Sequence, residues 1–257
     1  MKWSESKKSI ADLQKDKLYI TQGFLGRSSA NNTSTLGREW SDYTAAIFAY
    51  CMNAESVTIW KDVEGVLNAD PRYFETTELL QQISYVEAIE MSFYGASVIH
   101  PKTLKPLENK NIPLYVRSFF NLQAKGTVVG KDHRLIPDIP CYILKRNQIL
   151  VSVAASDFSF MVEHNIRDIF DTLSKYKLKV NLIQNSAISF SVCIEDKYNN
   201  FEKFIETMKS HFKVDFKKDV RLYTIRHAND KAVEAIEGKG EILLKQSIRE
   251  TVQLVMQ

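Results

Sequence analysis

The sequence predicts an α/β protein in two parts, and three observations carry that prediction. From Lys17 to Phe119 short apolar runs alternate with helical patterns, an order that gives a mostly parallel sheet. From Gln148 to His227 the order becomes strand, helix, strand, strand, helix, strand. That is the split-βαβ arrangement, one sheet with its helices on one face. Between the two, glycine and proline thin out: seven of nine glycines lie at or before Gly130 and all six prolines at or before Pro140. No glycine falls between Lys131 and Glu237, so KDHRLIPDIP (131–140) is the expected linker.

In the first part, KLYITQGF (17–24) reads as a strand running into glycine turns. SDYTAAIFAYCMNA (41–54) has apolar residues at helical spacing and ends near Asn53. SVTIWKDV (56–63) is a strand rich in β-branched and aromatic residues. ISYVEAIEMSFYGA (83–96) opens with Ser84 and Glu87 at capping-box spacing and closes at Gly95. NIPLYVRSF (111–119) is a further strand.

In the second part, QILVSVAA (148–155) is a strand and residues 165–178 a helix with Ile166, Ile169, Phe170 and Leu173 on one face. VNLIQ and AISFSVCIE are the next two strands. Residues 199–212 form a second amphipathic helix with Phe201, Phe204, Ile205 and Met208 inward, and VRLYTIRH (220–227) is a strand. DKAVEAIEG and the strand-rich EILLKQSIRETVQLVMQ then read as a partial second copy of the same module. The expected domains are therefore 1–130, 141–219 and 220–257.

Bulk properties narrow the function. The chain has 257 residues, room for about two domains. It is 44% apolar and 25% charged, as a soluble globular protein is. A net charge of +3, with the basic residues spread along the chain, gives no footprint for nucleic acid. No apolar run approaches membrane-spanning length, and MKWSESKK leads into a charged segment rather than a signal sequence. Cys51, Cys141 and Cys193 sit among apolar neighbours without CxxC spacing, as reduced core thiols of a cytoplasmic protein do. The five histidines never fall at metal-ligand spacing.

Two polar stretches stand where chemistry is expected. In WKDVEGVLNADPR (60–72) a strand ends at Trp60, and Asp62, Gly65, Asn68, Asp70 and Arg72 follow. Ligands of open α/β sheets bind outside the carboxyl ends of strands. An arginine there suits phosphate oxygens, although Asp70-Pro71 reads equally as a plain turn. In TLGREWSDYTAA (35–46), Ser41 and Asp42 open a helix whose free N–H groups favour anions. Capping alone explains both residues. Arg38, in the loop just before them, adds positive potential suited to an anionic substrate.

These two stretches, with ISYVEAIEMSFYGASVIHPKTLKPLENKNIPLYVRSFFNLQAKGTVV (83–129), closely resemble the aspartate kinase (aspartokinase) family over about residues 18–130. ILVSVAASDFSFMVEHNIRDIF and KVNLIQNSAISFSVCIED resemble the ACT amino-acid-sensing domains that follow the kinase domain there. The resemblance implies a partial amino-acid-kinase-type sheet followed by a ferredoxin-like ACT region. It implies phosphorylation of L-aspartate by ATP with Mg²⁺, giving 4-phospho-L-aspartate on the way to lysine, threonine and methionine. By position, Arg38 holds a carboxylate of aspartate with Ser41 beside it, and Asp42 stands at the phosphoryl-transfer region. Lys61, Asp62, Leu67, Arg72 and Ser97 surround the nucleotide. Ser156, Asp157, Val180, Asn181 and Gln184 surround a lysine or threonine effector, and the ACT sheets pair into a homodimer.

The chain departs from the family pattern at several places. No KFGGTS-type segment with its phosphate-binding lysine lies among its residues, so the expectation is an N-terminally truncated kinase, inactive alone. TLGRGGSD is replaced by TLGREWSD, with Glu39 and Trp40 for two glycines, an expected rearrangement of the loop. Ser97 replaces a lysine that reaches the phosphates, His164 a common glycine, and Asn181 a common aspartate. The competing expectation is a non-catalytic allosteric module that binds lysine or threonine. A fragment of a bifunctional aspartokinase–homoserine dehydrogenase ranks lower, since no dinucleotide-binding glycine fingerprint follows the ACT region.

Overall fold

The computed structural model describes residues 3–10, 13, 17–37, 41–96, 99–155 and 159–257. The chain divides into two compact units, Met1–Ile139 and Pro140–Gln257.

The first unit begins with α1 (Trp3–Ile10) and a small antiparallel hairpin, β1 (Leu25–Arg27) and β2 (Thr33–Thr35). Then come α2 (Ser41–Met52), β3 (Val57–Lys61), β4 (Gln82–Ser84), α3 (Tyr85–Tyr94), α4 (Pro101–Glu108), β5 (Leu114–Ser118) and β6 (Thr127–Gly130). Local signals set the helix ends. Asn53 turns left-handed just after α2 (φ 53°), a conformation asparagine tolerates. Ser84 caps α3, its hydroxyl accepting from the Glu87 N–H at 2.9 Å, and the Gly95 N–H closes the helix on the Met91 carbonyl. Pro101 opens α4 at a position that needs no N–H.

Four strands form one sheet in the order β3-β5-β6-β4. The β3–β5 and β4–β6 ladders are parallel, but β5–β6 is antiparallel, so the sheet is mixed. Gly126 makes the turn into β6 possible. It sits at φ +69°, and a Cβ there would lie 2.0 Å from the Val116 carbonyl oxygen.

One expectation for this unit needs correction. Residues 17–24 form no strand; Leu18 and Ile20 are 93% and 95% exposed. Strand character is realised only against a partner edge, and no described strand lies alongside. The boundary between the two units falls inside the expected linker, whose earlier part is hydrogen-bonded to the first unit: the Gln81 N–H donates to the Ile136 carbonyl at 2.7 Å and the Ile136 N–H to that of Gln82 at 2.9 Å. These bonds hold the 131–136 segment against β4.

The second unit runs β7 (Cys141–Ala154), α5 (Glu163–Lys175), β8 (Lys179–Asn185), β9 (Ser189–Glu195), α6 (Phe201–Lys209), β10 (Lys213–Arg226), α7 (Asp230–Glu237), β11 (Ile242–Ile248) and β12 (Thr251–Met256). All six strands form one antiparallel sheet, ordered β11-β12-β10-β7-β9-β8. The strands expected at 148–155 and 220–227 are the ends of two 14-residue strands that pair with each other along their length. Register shifts near Lys217 and Val220 let each long strand serve two halves. β7 from Ile149 onward pairs with β9, and β10 from Arg221 onward pairs with β12.

Helices α5 and α6 cover one face through Ile169, Leu173, Phe204, Ile205 and Met208, packed on Val151, Val153, Phe190, Val192 and Ile194. All four inward residues expected on α6 are buried, whereas Phe170 on α5 stays 37% exposed. The opposite face carries a second apolar cluster of Leu182, Cys193, Val220, Leu222 and Val255. The three cysteines are free thiols, two of them buried and Cys51 half-buried. No helix of the described residues is long and apolar enough to cross a membrane.

Candidate functional site

In the first unit, the geometry gathers around the start of α2. Helix α2 begins at Ser41, whose side chain is exposed, and Asp42 occupies its first turn. The Phe24 N–H donates to Thr44 Oγ1 at 2.9 Å, which fixes the preceding chain against the helix. Lys61 is the last residue of β3, at the carboxyl end of a parallel strand. Its Nζ lies 2.8 Å from Asp42 Oδ2, with side-chain exposures of 27% and 18%. A cation and a carboxylate from the two informative stretches therefore meet at a helix N-terminus beside strand ends. Ligands of open α/β sheets bind at such a place.

The loop after β3 is held from below. Thr127 is fully buried; its Oγ1 accepts from the Val66 N–H at 2.8 Å and donates to the Leu80 carbonyl at 2.6 Å. A Cβ on Gly65 would fall 2.6 Å from Thr127 Oγ1 and 2.7 Å from a Leu79 methyl, so only glycine lets the loop come this close. Leu67 bridges to Leu79 and is half-buried, while Asp62 is exposed. Asn68 Oδ1 accepts from the Glu78 N–H at 2.7 Å and closes the far side of the loop.

Arg72 is turned onto Asp70. Its Nη2 lies 2.6 Å from Asp70 Oδ2 and its Nε 3.0 Å from Oδ1. The hydrogen bonds from Arg72 hold the Asp70 carboxyl below its ordinary pKa. Beside β3, the Arg117 guanidinium stacks 5.1 Å from the centroid of the Trp60 ring and donates to the Ala124 and Leu122 carbonyls. Arg38, Glu39, Trp40 and Ser97 lie outside the described residues. Sequence reading missed Thr127 and the Asp42–Lys61 contact. A Gly-Thr pair ahead of a β-branched run was the available signal for Thr127, whereas nothing local announces a pairing across 19 residues.

The donor set suits a nucleotide with its metal. Lys61 and the α2 N-terminus supply positive potential for phosphate, and Asp42 and Asp62 are hard oxygen donors. Among the described residues no three acidic, histidine or cysteine side chains group into a protein-only metal site.

In the second unit, Asn181 sits at a register shift between Val180 and Leu182 and is engaged on both sides of its amide. Lys145 Nζ donates to its Oδ1 at 2.8 Å, and its Nδ2 donates to Gln148 Oε1 at 2.7 Å. Gln148 is 2% exposed and passes the chain on to the Arg146 carbonyl. Burial, aided by Lys179, pushes the Lys145 ammonium down to about 8. Burial likewise pushes the Cys193 thiol up to about 12. Val180 packs against the α5–α6 side of the sheet. Gln184 instead lines an open cleft, together with residues of β9 and β11. Ser156 and Asp157 lie outside the described residues.

Residues 3–118 match the model of the amino acid kinase family. The lysine-sensitive aspartokinase 3 of Escherichia coli is 36% identical over 181 residues, 69% of this chain and 39% of that protein. The chloroplastic bifunctional aspartokinase/homoserine dehydrogenase 2 of Arabidopsis thaliana is 34% identical over 206 residues, 78% of this chain and 22% of that one. Among solved structures, E. coli aspartokinase III in complex with lysine and aspartate superposes with a TM-score of 0.73 at 26% identity. That match covers 92% of this chain and 56% of the other. The Clostridium acetobutylicum aspartate kinase gives a TM-score of 0.79 at 24% identity, covering 91% and 58%, and so supports the fold. The chain spans well under half the length of these two curated relatives.

Proposed function

The chain belongs to the aspartate kinase family, and on that premise we propose that it serves phosphoryl transfer from ATP to L-aspartate. It contributes the nucleotide side of the kinase domain and an amino-acid-sensing ACT region behind it. The observation that carries this reading is the Asp42–Lys61 pair at the mouth of α2.

In the reaction, a side-chain carboxylate oxygen of aspartate attacks the γ-phosphorus, the bond to the bridging oxygen breaks, and ADP leaves. Little of this needs covalent help from the protein; it needs alignment and neutralised charge. Arg38 holds a substrate carboxylate, with Ser41 at the helix mouth beside it. Lys61 moves from Asp42 to the phosphates as the nucleotide arrives, and the α2 N-terminus adds its N–H groups. Leu67 and the Gly65 turn form the apolar wall of the nucleotide site, with Asp62, Ser97 and Arg72 around it. Arg72 reaches a phosphate only by leaving Asp70. Magnesium, when bound, supplies charge neutralisation on the phosphates, and Asp42 and Asp62 are the side chains suited to hold it.

By themselves these 257 residues are expected to leave ATP and aspartate unreacted, because no KFGGTS-type lysine lies among them. The sensing region takes lysine or threonine near Ser156, Asp157, Val180, Asn181 and Gln184. It pairs with a second copy through its sheet, in the cytoplasm. A second reading, a regulatory module without catalysis, draws support from the Arg72–Asp70 pair and from serine at position 97.

Arg38 tests the catalytic reading. In a chain given a KFGGTS-type segment ahead of Met1, Arg38→Ala is expected to abolish aspartate phosphorylation while leaving the melting temperature unchanged. Turnover equal to that of the parent chain would remove Arg38 from the site.

A further inference from the structure

Two anchors shape the candidate site of the first unit, and they come from different elements. Lys61 ends β3, which lies at one end of the four-strand order, so its only ladder among the described residues is the one with β5. The Gly65–Leu67 turn is the second anchor, and Thr127 on β6 holds it. One side chain touches the supports of both, and it is Arg117 on β5.

Arg117 stands opposite Trp60 in the parallel ladder, and its guanidinium lies 5.1 Å from the centroid of the Trp60 ring, within cation–π range. Trp60 immediately precedes Lys61. The Phe119 ring also meets the indole, with centroids 5.8 Å apart, and the Phe119 N–H donates to the Lys61 carbonyl at 2.8 Å. Both last residues of β3 are therefore fixed from the β5 side. Successive side chains of a strand point to opposite faces, so Trp60 and Arg117 lie on the face away from the Lys61–Asp42 contact.

The same guanidinium grips the loop from β5 to β6. Its Nη2 donates to the Leu122 carbonyl at 3.0 Å and its Nε to the Ala124 carbonyl at 3.1 Å. Donors set in one rigid plane fix two carbonyls at once, which a lysine ammonium on a flexible stem does less well. A Cβ on Gly126 would fall 3.1 Å from Arg117 Cγ, so the loop packs down on the arginine stem as well. The next residue is Thr127, delivered to the Val66 N–H and the Leu80 carbonyl.

We propose that Arg117 is a positioning residue for nucleotide binding. Through Trp60 and through the 119–126 loop it sets the spacing between Lys61 and the Gly65–Leu67 turn, and it touches no ligand itself. Naming the ligand a nucleotide rests on the phosphoryl-transfer reading above; the mechanical link between the two anchors does not.

Calorimetry with ADP and magnesium on the full chain, together with amide hydrogen exchange, tests the proposal. Arg117→Met is expected to weaken ADP roughly tenfold. It is also expected to speed exchange of the Val66 and Phe119 amides several-fold, with the β7 amides of the second unit unchanged. Arg117→Lys, which keeps a cation over the indole, is expected to recover part of the affinity, and it carries the same measurements if the methionine variant does not fold. A lowered melting temperature with ADP affinity equal to the parent's would show a role in stability alone and overturn the proposal. If Lys61→Met abolishes ADP binding while Arg117→Met leaves it intact, the proposal falls and the phosphoryl-transfer reading stands. If the parent chain itself binds no ADP, that reading fails and exchange alone decides. Val66 and Phe119 amides as slow in Arg117→Met as in the parent then overturn the link, and faster ones sustain it.

Discussion

Lys145 shows how one side chain can carry a measurable signature. It lies within the sheet of the second unit, bonded to Asn181, with Lys179 near enough to add repulsion. Its folded pKa of about 8 is below the value of roughly 10.4 for an unfolded lysine. Between those two values the unfolded chain binds more protons than the folded one, so this group makes stability rise with pH. Below about pH 8 both states are charged and the burial cost is felt in full. Cys193 acts in the opposite sense over part of the range, because its thiol stays protonated to about 12 when folded. A direct comparison isolates the lysine: relative to Lys145→Met, the parent chain is expected to gain denaturant stability from pH 8 to 10.5. Parallel pH profiles would show that Lys145 is not buried as described.

Among secondary-structure elements, the loop after β3 is the one that most depends on a single distant residue. Thr127 on β6 satisfies the Val66 N–H and the Leu80 carbonyl at once. Thr127→Val keeps the shape and strands both groups, so it is expected to cost about 1–3 kcal/mol for each one left unpaired. Thermal melts of the variant measure this, and a melting temperature within a degree of the parent would mean that water replaces both bonds.

The same scale explains what the sequence disclosed. Helices α2, α3 and α6 were legible because their caps and apolar faces are local: Ser84, Gly95 and the Phe201–Met208 stripe all stand where expected. Residues 17–24 were misread because a strand is decided by its pairing, which the local pattern of apolar residues does not carry. β7 and β10 each run 14 residues rather than the expected eight because their pairing crosses from one half of the sheet to the other. The family resemblance named Asp42 and Lys61 separately, yet their contact is tertiary and spans 19 residues. Likewise Asn181 was expected to face a ligand, and the structure occupies its amide with Lys145 and Gln148.

At the scale of the whole molecule, two units of different chemistry follow one another in the chain. The first has strand ends, a helix mouth and a lysine suited to phosphate; the second has an antiparallel sheet with polar groups set among apolar ones. On the proposed function, the first binds nucleotide and the second senses a small amino acid. Calorimetric titration of the 257-residue chain with ADP and magnesium, then with L-lysine and L-threonine, tests both halves at once. The account predicts saturable ADP binding that Lys61→Met removes, together with saturable binding of one of the two amino acids. Amino-acid binding without ADP binding would replace it with the regulatory-module reading, and no heat from any of the three ligands would contradict both.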